Sequence, residues 1–120
     1  MSESLVINNS ASIDDQYQLL VKQVRSLLRK EDNLITNLSN FTAALKQTFP
    51  KISWVGFYLF DGVKLYLGPF QGKVACTEIK IGSGVCGTSA QKKETVIVSD
   101  VDNFPGHIAC DVESRSEIVV

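Results

Sequence analysis

Residues 54–68 read WVGFYLFDGVKLYLG, and the fold is decided there. Two runs rich in aromatic and β-branched residues flank Asp61-Gly62, a dipeptide favoured where a two-residue type I′ turn joins antiparallel strands. Successive strand side chains point to opposite faces, so Trp54, Gly56, Tyr58 and Phe60 share one face and Val55, Phe57 and Leu59 the other. Both faces are apolar, which predicts a strand covered on each side. Trp54 suits core filling and the wall of a ligand pocket equally well, beside a glycine that leaves room.

Upstream of the hairpin the period is helical. Ser12, followed by Asp14 and Asp15, makes an N-cap with an acidic first turn, and Ile13, Tyr17, Leu20, Val24, Leu27 and Leu28 recur at helical spacing to about Lys30. Asp32 is read as a second cap; Leu34, Leu38, Phe41, Leu45 and Phe49 form the next stripe, which Pro50 ends. Residues 1–11 are polar and aperiodic, and are expected to be a disordered end ahead of one domain over 12–120.

Downstream, Glu78 to Ile81 alternates as a half-buried strand, Val85 to Lys93 suits a short helix, and Thr95 to Asp100 suits another strand. Residues 101–116, with Asn103-Phe104-Pro105-Gly106, read as a long loop with a helical turn around Cys110, and Glu117 to Val120 opens a further strand. The order is helix, helix, hairpin, strand, helix, strand, strand.

Composition narrows the function classes. At 120 residues and 44% hydrophobic the chain supports one core. Twelve basic against thirteen acidic residues leave a formal charge of -1, so no global field recruits nucleic acid or an anionic membrane. No run approaches the ~18 to 20 apolar residues of a spanning helix, and the N-terminus lacks the pattern of a secretory leader. Three cysteines cannot all pair within one chain, and none forms a CxxC; reduced thiols in a cytoplasmic setting are expected, without a cofactor.

The chemistry-bearing side chains lie between Gly68 and Cys110, a stretch holding all three cysteines and the only histidine. Gly82-x-Gly84-x-x-Gly87 matches a dinucleotide fingerprint, but that motif places its acidic residue about 20 positions on. Asp100 is only 13 beyond Gly87, so the glycines are assigned to a tight turn and close packing. A Cys3His zinc site built on Cys76, Cys86, Cys110 and His107 lacks the closely spaced pairs such sites use, and no metal is expected.

Thiol redox chemistry remains. A cysteine attacks as its thiolate, and helix N-termini or nearby cations favour that form, so Cys86 at a glycine-led helix start and Cys110 three residues after His107 are both candidates. Asp111 works against Cys110 unless His107 or Arg115 compensates; the residues alone do not choose. His107 is read as a loop histidine capping a carbonyl ahead of a direct catalytic role. Glu117 suits either a solvated carboxylate or an acid turned into a site.

Several runs together resemble a known family. Trp54-Val55-Gly56-Phe57-Tyr58-Leu59, Gly68-Pro69-Phe70-Gln71-Gly72-Lys73-x-Ala75-Cys76, Gly82-x-Gly84-Val85-Cys86-Gly87 and Gly106-His107-Ile108-Ala109-Cys110-Asp111 are similar to the free methionine-(R)-sulfoxide reductases, which are single GAF domains. The resemblance implies an α+β fold with a central antiparallel sheet and helices packed on one side. It implies a cytoplasmic oxidoreductase acting on free methionine sulfoxide, frequent homodimers and thioredoxin as reductant. By position, Cys110 matches the attacking thiol, Cys76 the usual resolving thiol and Cys86 an accessory one. Glu117 matches an acidic residue of the catalytic and substrate-binding site, and Trp54 and Tyr58 match residues lining the methyl pocket.

The family pattern continues past the counterpart of Val120 with further strands, a pair of aspartates and a helix. The expectation is therefore a domain with its C-terminal strands and helix missing, and little turnover from the 120 residues alone. The rival expectation is a non-catalytic GAF sensor, which needs a pocket but no attacking and resolving thiols.

Overall fold

The computed structural model describes residues 4–106 and 115–120. The chain divides into two compact units, residues 1–57 with 69–72 and residues 58–68 with 73–120.

The first unit is built on two helices, α1 (Ile13–Leu27) and α2 (Leu34–Thr48). Ser12 caps α1 by accepting the Asp15 amide at 3.1 Å. Asn33, rather than Asp32, caps α2: its side chain accepts the Ile35 amide at 2.8 Å, while Asp32 lies 3.6 Å from Arg29 in an exposed ion pair. The Asn37 amide spans the connection, donating to the Arg29 carbonyl at 2.8 Å and accepting its N–H at 3.3 Å. Ahead of α1, Val6 exchanges two backbone hydrogen bonds with the Gln23 side chain.

Leu20, Ala44 and fully buried Thr42 form the core of this unit; beside them half-buried Phe41 packs on Phe57, and exposed Tyr17 on Phe49. The inward face of α2 thus contains small residues between the large ones, and Leu34, the first residue of the expected stripe, is exposed. Lys46 ends α2 by donating to the carbonyls of Pro50 and Ile52.

Strands β1 (Val55–Phe60) and β2 (Lys64–Gln71) each contribute residues to both units. With β3 (Glu78–Lys80) they form a three-stranded sheet of order β1-β2-β3. The β1–β2 connection differs from the expected type I′ turn, which needs positive φ at both central residues. Only Gly62 has positive φ there, at 101°. The Asp61 carboxylate accepts the amides of Val63 and Lys64, which draws Val63 into a three-residue loop. Phe60, expected to be covered, is exposed at the strand end.

In the second unit β2 pairs antiparallel with β3, placing Leu65 opposite Ile79, both buried. Lys64 stands opposite Lys80, and Glu78 bridges Lys64 at 2.5 Å on the exposed side. Helix α3 (Gly84–Lys92) packs against β3, β4 (Val96–Val98) and β5 (Glu117–Val119). β4 and β5 pair antiparallel as a separate two-stranded sheet. Val85, Val98 and Val101 are buried together, with Val96, Phe104 and Val119 against them.

This arrangement accounts for the glycine run. A Cβ on Gly87 would stand 2.4 Å from the Lys80 carbonyl oxygen, and the Gly82 amide donates to the Gly87 carbonyl at 2.8 Å. The glycines bring the helix onto the end of β3. The strands flanking α3 belong to different antiparallel sheets, unlike the parallel strands of a dinucleotide-binding unit. Among the described residues no helix is long and apolar enough to cross a membrane.

Candidate thiol site

Four of the residues singled out from sequence lie in the second unit: Tyr58, Cys76, Cys86 and Glu117. Tyr58 stands on β1, Cys76 in the connection after β2, Cys86 in the first turn of α3, and Glu117 opens β5. The Tyr58 hydroxyl donates to the Cys76 carbonyl at 2.7 Å. Burial, and then the neighbouring Cys86, push the Tyr58 phenol up.

Cys86 reverses an expectation. Its place at the helix start predicts a thiol shifted toward the thiolate, yet burial, followed by the charge of Glu117, pushes it up to about 11 from an ordinary 9.0. Magnitudes decide the sign. A helix terminus typically offers about 0.3–1 kcal/mol, less than one pKa unit, whereas burial can move a group by several. Cys86 is a free thiol and stays protonated near neutral pH, which makes it a poor nucleophile there.

Cys76 is half-buried and disulfide-bonded. Its loop includes exposed Gly72, Lys73 and Val74, and the Leu67 amide donates to Thr77 at the far end, at 3.0 Å. Glu117 is half-buried, within electrostatic reach of Cys86. His107 and Cys110 lie outside the described residues, as does the Cys3His alternative that needs both.

Trp54 belongs to the first unit and stacks on Phe70, ring centroids 5.5 Å apart at 19°. A Cβ on Gly56 would stand 2.4 Å from the Phe70 Cβ and 2.7 Å from the Trp54 ring. The space beside that glycine is thus filled by this pair. Nothing in the local pattern sets Phe70 apart as a partner of Trp54, although it stands in a run with Gly68 and Pro69. The hydrogen bond from Tyr58 to Cys76 was also missed; an 18-residue separation hides it from any local pattern.

No protein-family model matches the chain. A GAF domain-containing protein A of Dictyostelium discoideum is 52% identical over 121 residues, covering 100% of this chain and 75% of that protein. A solved structure of free methionine-R-sulfoxide reductase from Neisseria meningitidis, in complex with its substrate, superposes with a TM-score of 0.87 at 45% identity, over 96% of this chain and 70% of the other. The fold is that of a GAF domain, α+β with antiparallel sheets. The free methionine-R-sulfoxide reductase of Saccharomyces cerevisiae is 46% identical over 123 residues, covering 95% of this chain and 68% of that enzyme. The chain belongs to the free methionine-R-sulfoxide reductase family.

Proposed function

We propose that this protein reduces free L-methionine (R)-sulfoxide to methionine with electrons from its own thiols. Family membership supports the substrate class, and the contrast between two cysteines carries the assignment of roles. Cys76 is disulfide-bonded, whereas Cys86 is a free thiol held protonated by burial and Glu117.

The chemistry runs in two balanced stages. The Cys110 thiolate attacks the sulfoxide sulfur while an acid protonates the sulfoxide oxygen; the oxygen passes to Cys110 as a sulfenic acid and methionine leaves. The Cys76 thiolate then attacks the sulfenic sulfur. An S–S bond forms, the S–O bond breaks and the hydroxide leaves as water after taking up a proton. Two thiols are oxidised and one sulfoxide is reduced. A thioredoxin-type dithiol reopens the disulfide by exchange, favoured by its low potential. Glu117, in the same unit as both described cysteines, is assigned as an acid of the site, with Tyr58 as a wall for the substrate methyl group.

The test is a single turnover with protein and racemic free methionine sulfoxide at equal concentration, followed by chiral analysis. Loss of the (R)-epimer alone, with stoichiometric methionine, is the expected result. Consumption of both epimers at similar rates overturns the assignment, and binding without release of methionine indicates a sensor domain instead.

A further inference from the structure

We propose that Tyr58 is a positioning residue for the resolving step, its hydroxyl holding the Cys76 backbone in place for disulfide closure. The inference rests on the pairing of Cys76 with Cys110 assigned above. Three observations carry it.

The bond from the Tyr58 hydroxyl to the Cys76 carbonyl is short, at 2.7 Å, and part-buried, so water competes for it less than at an open surface. Its donor stands on strand β1, paired within the three-stranded sheet, while its acceptor belongs to a connection without helix or strand. Gly72, Lys73 and Val74 ahead of Cys76 are exposed, Val74 at 89%, and Thr77 beyond it is tied to Leu67. The link therefore joins a regular element to the residue whose sulfur must meet its partner.

A tether of this kind raises the effective concentration of the Cys76 thiol by reducing the conformations open to the reduced loop. It acts on the second chemical stage and on disulfide stability. Tyr58 thus acquires a role distinct from that of its ring: the aromatic face suits an apolar substrate group, and the hydroxyl serves the loop. The electrostatic coupling of Tyr58 to Cys86 agrees with a place beside the thiols.

The decisive variant is Tyr58→Phe, which keeps the ring and deletes the hydroxyl, with Tyr66→Phe, at an exposed tyrosine of β2, as the control. Each protein is equilibrated in dithiothreitol redox buffers, and the oxidised fraction of Cys76 is read by mass spectrometry. Wild type and Tyr66→Phe should share one midpoint, and Tyr58→Phe should be less negative by about 30 mV, the equivalent of a tenfold lower closure constant for a two-electron couple.

In single turnover, trapping with dimedone should show sulfenic acid persisting about tenfold longer in Tyr58→Phe after allowance for its rate of methionine release. An unchanged midpoint together with unchanged sulfenic lifetime overturns the inference alone. A wild-type protein that forms no intramolecular Cys76 disulfide overturns both it and the cysteine assignment on which it rests.

Discussion

The two units are held together in opposite ways. In the first, side chains do the joining: Leu20 is buried, Tyr17 packs on Phe49 and Phe41 on Phe57, and the helix N-termini are capped by Ser12 and Asn33. In the second, the backbone comes close where side chains are absent: Gly87 lies over the Lys80 carbonyl, and Ser83 at the start of α3 makes no side-chain capping bond. The described thiols belong to this second unit. The scaffold around the thiols is thus specified by what cannot be added, and the helical unit by what cannot be removed.

The largest expected effect tests that inversion directly. Gly87→Ala should destabilise the protein by about 3 kcal/mol, because the new methyl meets backbone that has no rotamer with which to yield. Helix propensity alone predicts the opposite sign, a gain of about 1 kcal/mol. Leu20→Ala should lose a similar amount, about 3 kcal/mol, through the cavity it leaves. Urea denaturation of both variants is the measurement, and a neutral Gly87→Ala would break the comparison.

A second effect concerns pH. The unfolded Cys86 thiol loses its proton near 9.0, whereas the folded chain holds it to about 11. Between those values the folded state binds more protons, so this contribution is fully present below pH 9 and is lost as pH rises toward 11. With partial solvent screening allowed for, the loss is roughly 1 to 2 kcal/mol. Glu117→Gln removes one of the two causes and should bring the pKa of Cys86 down. Its alkylation by iodoacetamide near pH 8.5 should accelerate, by roughly a few-fold, because a larger share of the thiol is then ionised. An unchanged rate would show that burial acts alone.

The smallest effect sharpens the contrast in capping. Asn33→Ala removes the acceptor for the Ile35 amide and should cost about 1 kcal/mol. Ser83→Ala should change stability by no more than a few tenths, since that hydroxyl makes no cap bond. Equal losses at the two positions, read from denaturation midpoints, would contradict the view that α3 is set by backbone packing.

Sequence periodicity made the first unit legible. The start of α1 at Ser12 and the stop at Pro50 follow from local chemistry; α1 ends at Leu27 instead of near Lys30, Ile13, Tyr17 and Leu34 of the expected stripes are exposed, and the α2 cap is Asn33, Asp32 pairing with Arg29. The second unit was legible in its strand order but not in its contacts. Three-residue strands such as Glu78–Lys80 carry little period, and the reason for Gly87 lies in a carbonyl seven positions away. The site showed the same limit. Residue chemistry offered Cys86, Cys110 and Glu117, and the family resemblance added Cys76; helix position alone did not foresee the raised pKa of Cys86, because its burial and the approach of Glu117 from β5 are tertiary facts. The Ser12 and Asn33 caps and the hairpin carboxylate act within four residues of themselves; the tyrosine that reaches Cys76 does not.

The central claim is that Cys76 resolves an oxidised Cys110 while Cys86 remains a thiol. The most direct measurement is peptide mapping by mass spectrometry of anaerobically reduced protein after one equivalent of free methionine (R)-sulfoxide, quenched with an alkylating agent. One Cys76–Cys110 disulfide is expected per methionine released, with Cys86 alkylated throughout. Oxidation of Cys86 at the pace of methionine release, with Cys76 left as a thiol, would contradict it.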